Sequence, residues 1–152
     1  MLNQDFRDIL LSLSAEKAEF LVVGAYALAA HGLVRATGDI NIWIRRSDDN
    51  AGRVLRALAS FGAPLADLTE ADLKAPDLVF QMGVEPGRID LLTRISGVDF
   101  EDAWSRRIKI SLDDIDVFVI SKTDLLTNKL AAGRDKDLGD IAWLKKHALG
   151  DE

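Results

Sequence analysis

The chain has 152 residues, a length that suits one domain, taken here as residues 1–152. Apolar residues make up 48%, enough for a core, and the absence of cysteine excludes disulfides and thiolate metal sites. The formal charge of −6, from 19 basic and 25 acidic residues, argues against a broad DNA- or RNA-binding surface. It leaves room for a small basic patch that grips one triphosphate or one RNA end.

No apolar run approaches the length of a membrane span, and Asp5, Arg7 and Asp8 interrupt the N-terminal stretch, so neither a membrane anchor nor a signal peptide is expected. The expected location is the cytoplasm. Phe6, Ile9, Leu10 and Leu13 fall at i, i+3, i+4 and i+7 and predict an opening amphipathic helix. Phe20 to Val23 reads as a short strand, followed by Gly24 and an Ala-rich helix from Ala25 to His31. Asp39 to Ile44 alternates, with Ile40, Ile42 and Ile44 on one face and Asp39, Asn41 and Trp43 on the other.

Ser47 is placed as the N-cap of the next helix, which buries Ala51, Val54, Leu55, Leu58 and Phe61 and stops at Gly62 and Pro64. Ala66 to Asp77 is polar and is expected to hold a short helix or loop. Leu78 to Met82 and Arg88 to Leu92 read as strands joined around Glu85-Pro86-Gly87. Phe100 to Trp104 suggests one or two helical turns, and strands follow at Arg107 to Leu112 and Asp116 to Ile120. Ser121 and Asp124 have capping spacing. The helix after them ends at Gly133, and a second carries Leu138, Ile141, Ala142 and Leu149. The predicted architecture is α/β, a small mixed β-sheet flanked by helices, with a helical C-terminal segment over about 121–149.

Chemistry concentrates between Gly24 and Asn41. A glycine between a strand and a helix lets backbone N–H groups approach an anion, and the helix dipole favours negative charge there. Asp39 and Asn41, two apart on a strand, point to the same face, where a D-x-D pair would reach one metal. Asp90 lies opposite in facing to Ile89 and Leu91 and is the candidate third carboxylate. Trp43 shares the Asp39–Asn41 face and is a candidate to line the cleft. His31 is read first as a helix-end residue supported by the dipole.

The run from Leu21 to Ile44, with Gly24-Ala25, Arg35-Ala36-Thr37-Gly38-Asp39-Ile40-Asn41, then Asp90, then the segment from Ser121 to Asp140, resembles the minimal nucleotidyltransferases of the DNA polymerase beta-like superfamily. That group includes nucleotidyltransferases of abortive-infection and toxin–antitoxin systems. The likeness covers roughly residues 20 to 145. It implies a nucleotidyltransferase fold, an NTP substrate and Mg²⁺ (or Mn²⁺) held by Asp39, Asn41 and Asp90, which would also be the catalytic set. It further implies nucleotide contacts from Gly24, Ala25, Arg35, Thr37, Lys129 and Arg134, with Asp137 and Asp140 orienting the basic residues. The implied reaction transfers a nucleoside monophosphate to a protein or RNA hydroxyl.

Two residues depart from the family pattern. Ala25 replaces a frequent Gly or Ser, and Asn41 replaces an Asp, which removes one negative charge. Impaired transfer is therefore the leading expectation. The alternative is a non-catalytic protein of the same fold, such as an antitoxin or a partner subunit.

Overall fold

The computed structural model describes residues 2–34, 36–65 and 67–148. Arg35, Ala66 and Leu149 therefore lie outside the described residues. The strands are β1 (Phe20–Val23), β2 (Asp39–Ile44), β3 (Val79–Met82), β4 (Arg88–Leu92), β5 (Ile108–Leu112) and β6 (Ile115–Val119). They form one mixed sheet in the order β3-β4-β2-β1-β6-β5. The helices are α1 (Gln4–Ala15), α2 (Gly24–His31), α3 (Asp48–Phe61), α4 (Glu70–Leu73), α5 (Phe100–Ser105), α6 (Lys122–Ala132) and α7 (Leu138–Ala148), with a 3₁₀ turn at Asp135–Asp137. The strand and helix positions expected from periodicity hold to within about a residue or two, the normal uncertainty of element ends.

Central placement explains the composition of β1, in which all four residues are buried. A strand flanked on both sides reads as a continuous apolar run rather than an alternation. In β2 the alternation survives because its two faces differ. Ile40, Ile42 and Ile44 are fully buried in the core with Leu10, Val54 and Leu58. On the other face Trp43 is also buried, edge-on to Phe100 at a ring-centre distance of 5.1 Å. Phe100 stacks on Trp104, which meets Phe118 in turn. This aromatic row covers the far end of the face and leaves Asp39 and Asn41 partly accessible. Trp43 is thus a packing residue and does not line the cleft.

Caps fix where the helices start. The Ser47 hydroxyl accepts from the Asn50 N–H, and that of Ser121 accepts from the Asp124 N–H. Thr69 and Asp72 form a reciprocal capping box at α4. Gly62 and Gly133, both at positive φ, end α3 and α6.

The β5–β6 hairpin turns on Asp113 and Asp114, at φ 49° and 69°. Leu112 pairs with Ile115, so the loop has only these two residues. A two-residue hairpin with both central residues left-handed has the primed twist that favours glycine. Asp113 is fixed independently, because its Oδ2 accepts from the Leu2 N–H at 2.6 Å and its carbonyl from Arg7 at 2.8 Å. Asp114→Gly is therefore expected to raise stability by about 0.5–1 kcal/mol, read from urea unfolding, by removing a left-handed L-residue. A fall in stability would show that the Asp114 side chain holds the turn.

Candidate active site

The site is made by two strands far apart in sequence. β2 and β4 run parallel, pairing Asp39 with Arg88 and Asn41 with Asp90. Paired residues in adjacent strands present their side chains to the same face, so these four groups share one patch. Asp39 and Asp90 are thereby brought together, and Arg88 lies between them. Its Nε donates to Asp90 Oδ1 at 3.0 Å, and its Nη2 to Asp90 Oδ2 at 3.3 Å. The same Nη2 donates to Asp39 Oδ2 at 3.0 Å. The remaining nitrogen, Nη1, lies 3.6 Å from Glu85. Thr37 donates its hydroxyl to Asp39 Oδ1 at 3.0 Å and so orients that carboxylate.

Asn41 faces β1 across the antiparallel β1–β2 pair, opposite Val23. Gly24 begins α2 immediately afterwards, at φ +70°. A Cβ on Gly24 would sit 2.4 Å from Asn41 Nδ2, so the close approach of α2 to Asn41 requires glycine. Val23 precedes α2 and offers no side-chain cap to its first-turn N–H groups. The start of α2 lies beside Asn41.

Asp90 is only 6% exposed, and burial pushes its carboxyl above the usual range. The Arg88 hydrogen bonds and charge oppose this, while the neighbouring Asp39 charge reinforces it. Among the described residues no group of three or more His, Cys, Asp or Glu side chains is arranged to hold a metal ion. The two carboxylates still form a hard-oxygen donor pair suited to Mg²⁺ or Mn²⁺. The positive charge between them is the Arg88 guanidinium.

A pocket of about 510 Å³ lies beside α2; Ala25 and Thr37 line it, whereas Asp39, Asn41 and Asp90 do not. It runs along the Ala25, Ala29 and Ala30 face of α2 to Ile110 and Leu112 on β5. Thr37 belongs both to this wall and to the Asp39 hydrogen bond. Tyr26, also in the wall, has its hydroxyl pKa raised by burial and by the charges of Asp113 and Asp39. His31 lies outside this arrangement. Its Nε2 donates to the Ile120 carbonyl at 2.7 Å, and burial lowers its pKa, so it fastens the end of α2 to the end of β6.

Lys129 and Arg134 are organised separately. Lys129 is 5% exposed, with Nζ 3.1 Å from Asp137 and 3.3 Å from Asp140. Arg134 is half exposed and donates to Asp137 at 2.7 Å. No hydrogen bond or ion pair joins either residue to Asp39, Asn41 or Asp90 among the described residues. Burial alone would raise the Asp137 pKa, but its bonds from Arg134 and Lys129 and their charges hold it below the usual value. Its share of stability is thus complete above the unfolded carboxylate pKa of about 3.9 and is lost as pH falls through the lower folded value. Lys129→Ala would take the buried ammonium away from Asp137 and Asp140, and a loss of about 3–5 kcal/mol is expected in chemical denaturation. A loss below about 1 kcal/mol would mean that Lys129 is not a structural ion-pair partner.

Arg88 is the residue that sequence reasoning missed. Its signal was the same alternation that placed Asp39 beside Asn41, because Arg88 stands two residues before Asp90 on one strand.

A mixed sheet flanked by helices carries paired acidic residues on neighbouring strands, beside a glycine-led helix. The chain belongs to the family described as "Nucleotidyltransferase of unknown function (DUF6036)", whose model matches residues 1–149. Its fold is similar to that of a presumed nucleotidyltransferase from Thermotoga maritima, known from a crystal structure. The two superpose with a TM-score of 0.60 over 93% of this chain and 91% of the other, at 16% identity. No curated protein sequence matches the chain. Among the described residues no helix is long and apolar enough to cross a membrane.

Proposed function

We propose that the chain binds an NTP with a divalent cation at the Asp39–Asp90 pair and transfers the nucleoside monophosphate slowly to a protein or RNA hydroxyl. The observation that carries this reading is the convergence of Asp39 and Asp90 on parallel neighbours, next to the glycine-led start of α2. The divalent cation, Mg²⁺ or Mn²⁺, would be held by Asp39 and Asp90, with the Asn41 amide oxygen as a neutral third donor, and would neutralise phosphate charge.

The chain's own residues supply the rest. Gly24 and Ala25 present first-turn N–H groups to phosphate oxygens. Thr37 keeps Asp39 in one orientation. Asp90, with its raised pKa, accepts the proton of the attacking hydroxyl as that oxygen bonds the α-phosphorus. The bond from the α-phosphorus to the bridging oxygen breaks, and pyrophosphate leaves. Lys129 is assigned to the α6–α7 ion-pair cluster, and Arg134 supports it through Asp137.

Asn41 limits the rate in this account. Two carboxylates offer less negative charge than three to the metal chemistry of the transition state. Asn41→Asp is expected to raise transfer about tenfold or more while changing NTP affinity much less, the signature of an interaction made mainly in the transition state. Asp39→Asn should weaken Mg²⁺-dependent NTP binding about tenfold or more by calorimetry. Transfer that is unaltered by Asn41→Asp but abolished by Asp39→Ala would make Asn41 a fully working ligand.

The pH dependence follows from Asp90. In the metal-free chain its raised pKa means that the ionised form, which metal binding and proton acceptance both need, grows in only as pH rises above the ordinary carboxylate value of about 3.9. The single-turnover rate should therefore rise through that window and then level off, and Asp90→Asn should remove the dependence. A rate that falls over the same window would exclude Asp90 as the proton acceptor.

A second reading is supported by Arg88, which already neutralises both carboxylates. In it the chain is a non-catalytic binding protein, such as an antitoxin or partner subunit. Absence of NTP binding by both the wild type and Asn41→Asp would select this reading.

A further inference from the structure

We propose that Arg88 is a built-in competitor for the metal position, so that a divalent cation enters the Asp39–Asp90 pair only as the guanidinium leaves it. The proposal rests on the reading that these two carboxylates are the metal-binding pair.

The geometry is that of an occupied cation site. Three of the four oxygens of the carboxylate pair engage Arg88, at 3.0, 3.0 and 3.3 Å, and the fourth accepts from Thr37. The Nε–Nη2 edge is matched to the Asp90 carboxylate in the two-point fashion that makes arginine bind more strongly than a point charge. Asp90 is buried, and Asp39 and Arg88 are partly so, which reduces screening of these charges by solvent. A divalent ion placed against both carboxylates would need the oxygens that Arg88 now uses. It would also sit within a few ångströms of a fixed positive charge.

The arginine is itself held from behind. Glu85 lies 3.6 Å from Nη1, and its side chain passes over Gly38, where a Cβ would come within 2.9 Å of it. Gly38 immediately precedes Asp39, so the turn that carries Glu85 is seated against the strand that carries the first carboxylate. The consequence is a site with weak intrinsic affinity for free metal.

The test is Mn²⁺ binding alone, without nucleotide, by electron paramagnetic resonance and calorimetry on the full chain. Arg88→Gln should bind Mn²⁺ at least about tenfold more tightly than the wild type. A merely structural arginine would give the opposite sign, because its loss would loosen the carboxylates. If Arg88→Gln does not fold, Arg88→Lys serves, since lysine keeps the charge but lacks the two-point edge. It should bind Mn²⁺ about threefold or more tightly than the wild type. Equal or weaker binding in the folded variant overturns the proposal. Adding Asp90→Asn to Arg88→Gln should abolish the gain. If the gain persists, the metal lies elsewhere, and the reading of the carboxylate pair fails as well. Tight Mn²⁺ binding by the wild type that Asp90→Asn removes would overturn the competition alone and leave that reading standing.

Discussion

The parallel pairing of β2 with β4 is the constraint on which the site depends. It sets Asn41 opposite Asp90 and Asp39 opposite Arg88, so that an acidic pair and its counter-cation share one patch. A slip of one residue would turn Asp90 to the opposite face, because side chains alternate strictly along a strand. The register is secured by what lies on the other face. Ile40, Ile42, Ile89 and Leu91 belong to the buried core, and any slip would expose them. The same apolar pattern that stabilises the sheet therefore aims the carboxylates.

The surroundings keep the patch both polar and accessible. The aromatic row from Trp43 through Phe100 to Trp104 covers the far end of the face and stops short of Asn41. α2 approaches from the side, where Gly24 gives it the room it needs beside Asn41. The result is a carboxylate pair with a helix start on one flank and an apolar pocket beyond Thr37. That combination suits a ligand with a charged part and a less polar part.

Much of this was legible in the sequence for simple reasons. Period-two alternation placed Asp39 and Asn41 on one face, and capping chemistry placed Ser47 and Ser121. The strand order was not legible, because the pairing of β2 with β4 joins segments separated by α3, α4 and β3. The role of Arg88 could not be assigned without that pairing, even though its facing could. Lys129 shows a different gap. Its place in the family-like segment implied a nucleotide contact, but a position on a helix does not identify a side chain's partner. Asp137 and Asp140, returning on the far side of Gly133, engage the Lys129 ammonium. Trp43 was misplaced because alternation gives a side chain's face and not what covers it.

The central claim is that the Asp39–Asp90 pair is a cation and phosphate site closed in the free protein by Arg88. The most direct measurement is a crystal structure with a non-hydrolysable NTP analogue and Mn²⁺, with the metal located by anomalous scattering. The account predicts a Mn²⁺ peak against Asp39 and Asp90, phosphate oxygens at the first turn of α2, and the Arg88 guanidinium moved off both carboxylates. Nucleotide and Mn²⁺ bound away from this patch, with Arg88 still bridging Asp39 and Asp90, would contradict it.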